Sequence, residues 1–124
     1  MRAILILTTI LLSAMPATAQ HTHGSKGPNG GIMEDVAGVH AELVTSGSTI
    51  TFNIVDEANK PVATSGFTGS VLVASGAEKE TITLSPAGDS ALKGEAKKAI
   101  PANASVTLML KTKAGKSGQA KFAK

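Results

Sequence analysis

The chain of 124 residues has no cysteine, no tryptophan and no tyrosine, and its only large aromatics are Phe52, Phe67 and Phe122. Without cysteine there can be no disulfide, no thiol nucleophile, no thiolate metal site and no iron–sulfur cluster. Any soft-metal chemistry is left to His, Met or an amino terminus. So few aromatics leave little surface on which unpaired bases could stack. The charge is also modest: Lys and Arg number 12 against 9 acids, and the lysines are scattered rather than clustered. Nucleic acid is therefore not the expected partner. A long apolar run is missing too. The longest, Ala3 to Met15, is interrupted by Thr8, Thr9 and Ser13, and falls short of the ~20 apolar residues needed to span a bilayer.

That run has another reading. Met1-Arg2 supplies a positive start, Ala3–Met15 an apolar middle, and Ala17-Thr18-Ala19 a small-x-small cleavage site, the order of a secretory signal peptide. Residues 1–19 are expected to be removed and the remainder exported, with no membrane anchor afterwards. Arg2 leaves with the leader, so 11 lysines face the 9 acids. Residues 20–30 are Gly, Ser, Asn, Pro and His with no apolar period, and read as a flexible arm.

From Gly31 to Lys124 the pattern becomes short runs of period two between turn residues. Strands are expected at 31–36, 39–44, 49–55, 67–74, 80–85, 91–96, 104–113 and 119–123, with a brief edge segment at 62–66 after Pro61. Ile50, Phe52 and Ile54 face inward, as do Ile82 and Leu84, and Ala120 and Phe122; Ala104, Val106, Leu108 and Leu110 alternate against Ser105, Thr107, Met109 and Lys111. Ile100 plugs the core from a loop. On the run from Val39, residues Val39, Ala41 and Leu43 share one face, while His40, Glu42 and Val44 share the other. Seven or eight short strands at about ten-residue spacing argue for an antiparallel β-sandwich of immunoglobulin or fibronectin-III type.

Catalytic arrangements are not legible. The one histidine inside the domain, His40, is in mid-strand, no G-x-S-x-G elbow occurs, and Glu34/Asp35, Asp56/Glu57 and Glu78/Glu80 lie in or beside turns. The expectation is a protein that is not an enzyme. Metal ligation has more to work with. Cleavage after Ala19 leaves Gln20-His21-Thr22-His23, in which an α-amine, an amide and an imidazole can chelate Cu(II) or Ni(II), and His23 adds a nitrogen. His40 and Glu42 share a strand face about 7 Å apart, a partial site that the arm could complete. The candidate metal ligands are His21, His23, His40 and Glu42. Copper or nickel comes first and zinc next. Met33 and Met109 could offer thioethers to Cu(I), or simply pack. The alternative, of a different class, is a structural or adhesive module that binds a protein partner through its sheet, with the histidines incidental.

"HGSKGPNGG", "GVHAELV", "DEANKPV" and "SGFTGS" together resemble small exported β-domain proteins of proteobacterial type. These are similar to domains accompanying the periplasmic adaptor subunits of heavy-metal efflux systems. The resemblance implies His23, His40 and Glu42 as the positions that matter, Asn29–Gly31 as the turn leading into the domain, and an efflux component or other periplasmic protein as partner. For a chain of this length it implies a stand-alone accessory, since an adaptor also needs a helical hairpin and a barrel.

Overall fold

The computed structural model describes residues 24–122, and every regular element among them is a β-strand. In chain order these are β1 (Ser25–Lys26), β2 (Ile32–Val36), β3 (Val39–Ser46), β4 (Thr49–Val55), β5 (Thr68–Ser75), β6 (Glu78–Ala87), β7 (Ala91–Glu95), β8 (Ser105–Lys111) and β9 (Ser117–Phe122). All pairings are antiparallel, in the order β1-β2-β3-β4-β7-β6-β5-β8-β9. The expected signal peptide lies outside the described residues, as do His21 and His23.

One strand joins the two halves of this sheet. Along Glu78–Leu84, β6 pairs with β5; from Ser85 to Ala87 it pairs with β7 instead. Pro86 sits in the second stretch, where a missing N–H suits a strand that is leaving one layer for the other. The sheet curls so that β1-β2-β3-β4-β7 faces β6-β5-β8-β9. From β3 onward, this is the Greek-key order of an Ig/fibronectin-III-like sandwich. Between the halves, Ile50, Phe52 and Ile54 of β4 and Val106 and Leu108 of β8 are fully buried, with Phe122 of β9. The Phe52 and Phe122 rings meet across the layers with centroids 5.4 Å apart, tilted by 55°. In a chain without disulfides this apolar packing carries the fold, at ~1.5–3 kcal/mol for each large side chain buried. Ile100, from the β7–β8 connection, packs against this core as expected.

The expected edge segment at 62–66 is not a strand. An isolated bridge, Val55 to Pro61, forms just before it, and Val62 N–H donates to the Ile54 carbonyl at 3.0 Å. The chain instead dips inward at Thr64, which is fully buried and donates its hydroxyl to the Ala91 carbonyl at 2.9 Å. β7 already occupies that side of β4 along Thr49–Asn53, which leaves little edge to pair with.

The stretch read as an arm also differs from Gly24 onward, because Ser25 and Lys26 pair with Met33 and Ile32. Pro28-Asn29-Gly30 closes this small hairpin: Gly30 N–H donates to the Gly27 carbonyl at 3.0 Å, and Gly27 N–H to the Gly31 carbonyl at 2.8 Å. A type I turn followed by one left-handed residue gives these bonds. Gly30, at φ +79°, supplies that residue without steric cost.

Candidate functional site

Cross-strand register decides which side chains share the outer face of the β2–β3 hairpin. Ile32 pairs with Leu43, Glu34 with Ala41 and Val36 with Val39; of these, Leu43, Ala41 and Val36 are buried in the core. The alternate pairs, Asp35 with His40 and Met33 with Glu42, therefore point outward. Ser25 of β1 extends the second row beyond Met33. On the far side of β3, His40 stands opposite Val55 and Glu42 opposite Asn53.

His40 is paired through Nδ1 with the Asp35 carboxylate. Its side chain keeps 27% exposure and that of Asp35 84%, so the pair sits at the solvent boundary. An imidazole whose Nδ1–H is given to a carboxylate has its orientation and tautomer fixed, and presents the Nε2 lone pair elsewhere. That is also how metal-ligating histidines are usually held. In the sequence alone Asp35 reads as a solvated turn acid; the register signal that it faces His40 exists only once β2 and β3 are paired through the Ala37-Gly38 turn.

Glu42 faces outward by alternation yet has 1% exposure. The Pro28–Gly30 turn folds over it. Its Oε2 accepts N–H bonds from Asn29 and Gly31, both at 2.8 Å, and its Oε1 accepts the Asn29 side-chain amide at 2.9 Å. Backbone amides converging on one anion form a small nest, filled here by the protein's own carboxylate. The approach is close on all sides. A Cβ at Gly27 would stand 2.4 Å from Glu42 Cδ, and one at Gly31 would stand 2.1 Å from the Leu43 carbonyl oxygen. Glu42 thus anchors the turn, with both oxygens engaged by protein donors, and the turn covers it from the side on which His40 meets solvent.

Comparison with known protein families, characterised proteins and solved structures gives no match. Residue chemistry must therefore carry the functional reading.

Among the described residues, no group of three His, Cys, Asp or Glu side chains stands close enough to hold a metal ion by itself. Met33 shares the outer face with Asp35, whereas Met109 lies on β8 in the opposite layer and is 40% exposed. Most other acids have local structural tasks. Asp56 Oδ1 accepts the Ala58 and Lys60 amides, Glu95 accepts the Ser48 and Thr49 hydroxyls, Glu80 accepts the Lys97 amide, and Glu78 pairs with Lys98 at 3.6 Å. Two open grooves mark the opposite layer, of about 580 Å³ across β5, β8 and β9 and about 520 Å³ beside the β7–β8 connection; His40 lines neither.

Proposed function

We propose that this is an exported, non-enzymatic protein of the periplasm that binds a late transition metal ion, copper or nickel first and zinc next. It buffers the ion or passes it to an envelope efflux component. The observation that supports the reading is the Asp35-held imidazole of His40, one fixed nitrogen ligand in a chain whose other two histidines precede the sheet by a few residues. Ser25 stands opposite Met33, two residues from Asp35 on the same face. On this reading His21 and His23, next to β1 in sequence, would supply the further nitrogens to a metal ion on His40 Nε2. Glu42 serves the site indirectly, by holding the Pro28–Gly30 turn that pairs β1 with β2.

Zinc, being diamagnetic, tests this by NMR. The expected result is that zinc shifts the side-chain resonances of His40 together with those of His21 and His23, in one saturable process. Shifts confined to the N-terminal histidines would remove His40 from the site, and no shift at all would end the metal reading.

A second reading, a module that binds a protein partner, draws on Met109. It is the large apolar side chain left exposed among the described residues, and it lines the groove across β5, β8 and β9. A co-purifying partner insensitive to chelators, displaced by Met109→Lys, would favour it.

A further inference from the structure

The same turn carries chemistry of its own. Asn29-Gly30 is the chain's only Asn-Gly step. In such a step the following backbone nitrogen can attack the side-chain amide, because glycine offers no side chain to hinder it. The C–N bond formed joins Gly30 N to Asn29 Cγ, and the bond broken releases the side-chain nitrogen as ammonia. Water then opens the resulting succinimide ring to aspartate or isoaspartate.

In the folded protein both participants are held. The Gly30 amide donates to the Gly27 carbonyl at 3.0 Å, and the Asn29 side-chain amide donates to Glu42 Oε1 at 2.9 Å. The Asn29 backbone amide is tied to Glu42 Oε2 at 2.8 Å. Cyclisation has to break the first two bonds, so it requires the turn to open.

We infer that Asn29 is a spontaneous modification site that the buried Glu42 carboxylate keeps latent, and that its deamidation releases the N-terminal hairpin irreversibly. The product explains the irreversibility. An aspartate at this position puts a second carboxylate where an amide donor met the Glu42 carboxylate, which is 1% exposed; like charges at that separation, away from water, repel strongly. Isoaspartate adds a backbone carbon inside a turn whose hydrogen bonds leave no room for one. In either form the clamp cannot close again as before, and β1 is left with little more than its two-residue pairing to Ile32 and Met33 to hold it to the sheet. The protein thereby carries a one-way record of how often its turn has opened.

The test is the rate at which Asn29 gains about 1 Da at neutral pH and 37 °C, followed by peptide mass mapping. It compares the folded protein, the protein in urea, and the variants Glu42→Gln and Glu42→Asp. The urea-unfolded chain sets the rate of the unprotected step. Folded wild type is expected to react at least ~10-fold more slowly, since losing even one hydrogen bond to a charged group corresponds to about that factor in local opening. Glu42→Gln is expected to recover most of the difference. Glu42→Asp keeps the charge but draws the oxygens back by one carbon, and is expected to fall between. Amide exchange at core residues such as Phe52 verifies that each variant remains folded; should Glu42→Gln unfold, Glu42→Asp decides. Equal rates in folded and unfolded wild type, or a folded Glu42 variant that reacts no faster than wild type, overturn the inference.

Discussion

Asn29 grips both oxygens of Glu42, its backbone amide on Oε2 at 2.8 Å and its side-chain amide on Oε1 at 2.9 Å, across thirteen positions of chain. This contact turns a Gly-rich stretch into a fixed lid on the first hairpin. It also explains how a carboxylate can be buried in a chain with no arginine in the described domain. Three N–H donors replace the water it gives up.

Removing the charge should therefore be costly. Glu42→Gln keeps the shape but sets an NH2 group against N–H donors, and it is expected to lower stability by ~2–3 kcal/mol. In a domain of this size that is a fall in Tm of at least several degrees, measured by thermal unfolding. Asn29→Ala should cost less, because the backbone donors of Asn29 and Gly31 remain. Wild-type stability in Glu42→Gln would mean the clamp is incidental.

Two neighbouring glycines should respond in different ways. Gly31→Ala places a Cβ 2.1 Å from the Leu43 carbonyl oxygen, and backbone cannot swing aside as a side chain can. A loss of ~1–3 kcal/mol is expected. Gly30 has open space around it but a φ of +79°, so Gly30→Asn should be the milder change, because asparagine tolerates the left-handed region. Denaturant midpoints of the two variants check this order. If Gly30→Asn proves the more damaging, the turn geometry is wrong.

Asp35 offers a clean separation of folding from binding. Its side chain is 84% exposed, so Asp35→Ala should leave stability within about 0.5 kcal/mol of wild type. Losing the partner that orients His40 should nevertheless weaken metal binding by about 10- to 100-fold, the usual cost of removing such a support. Unchanged affinity in this variant would show that the His40–Asp35 pair does not serve the metal.

Across the core, the Phe52 and Phe122 rings link the two halves of the sheet. Each truncation to Ala should cost ~3–5 kcal/mol. Since a small domain has only ~5–15 kcal/mol in total, the milder Phe52→Leu/Phe122→Leu cycle is the practical experiment. A coupling of ~0.5–1.5 kcal/mol is expected, and additivity would mean that the rings pack independently.

The period-two pattern made the sandwich legible because the core strands are amphipathic along their own length. Ile50, Phe52 and Ile54 need no partner strand to declare their face, and neither do Val106, Leu108 and Leu110; all six are buried. What failed were places where a non-local contact overrides the local period. Alternation puts Glu42 on one face with His40, and nothing within β3 shows that a turn eleven to thirteen residues earlier will cover it. Thr64 was missed in the same way, because its partner is the carbonyl of Ala91. The hairpin at residues 25–33 is different, since Pro28-Asn29-Gly30 is a turn signal with a mechanism. It was hidden by its surroundings: β1 is only two residues long, too short to show a period. The Asp35–His40 pair needed the register across Ala37-Gly38, where Ala37 at φ 51° and Gly38 at φ 82° make a tight two-residue reversal.

The most direct measurement is a calorimetric titration of the purified protein with Cu(II), Ni(II) and Zn(II), beside His40→Ala and His21→Ala/His23→Ala. One ion per chain is expected at micromolar affinity or better, about −8 kcal/mol, weakened in His40→Ala and abolished when the N-terminal pair is removed. No binding tighter than ~0.1 mM by wild type, or binding indifferent to all three histidines, would contradict the proposal that this domain is a metal-binding protein.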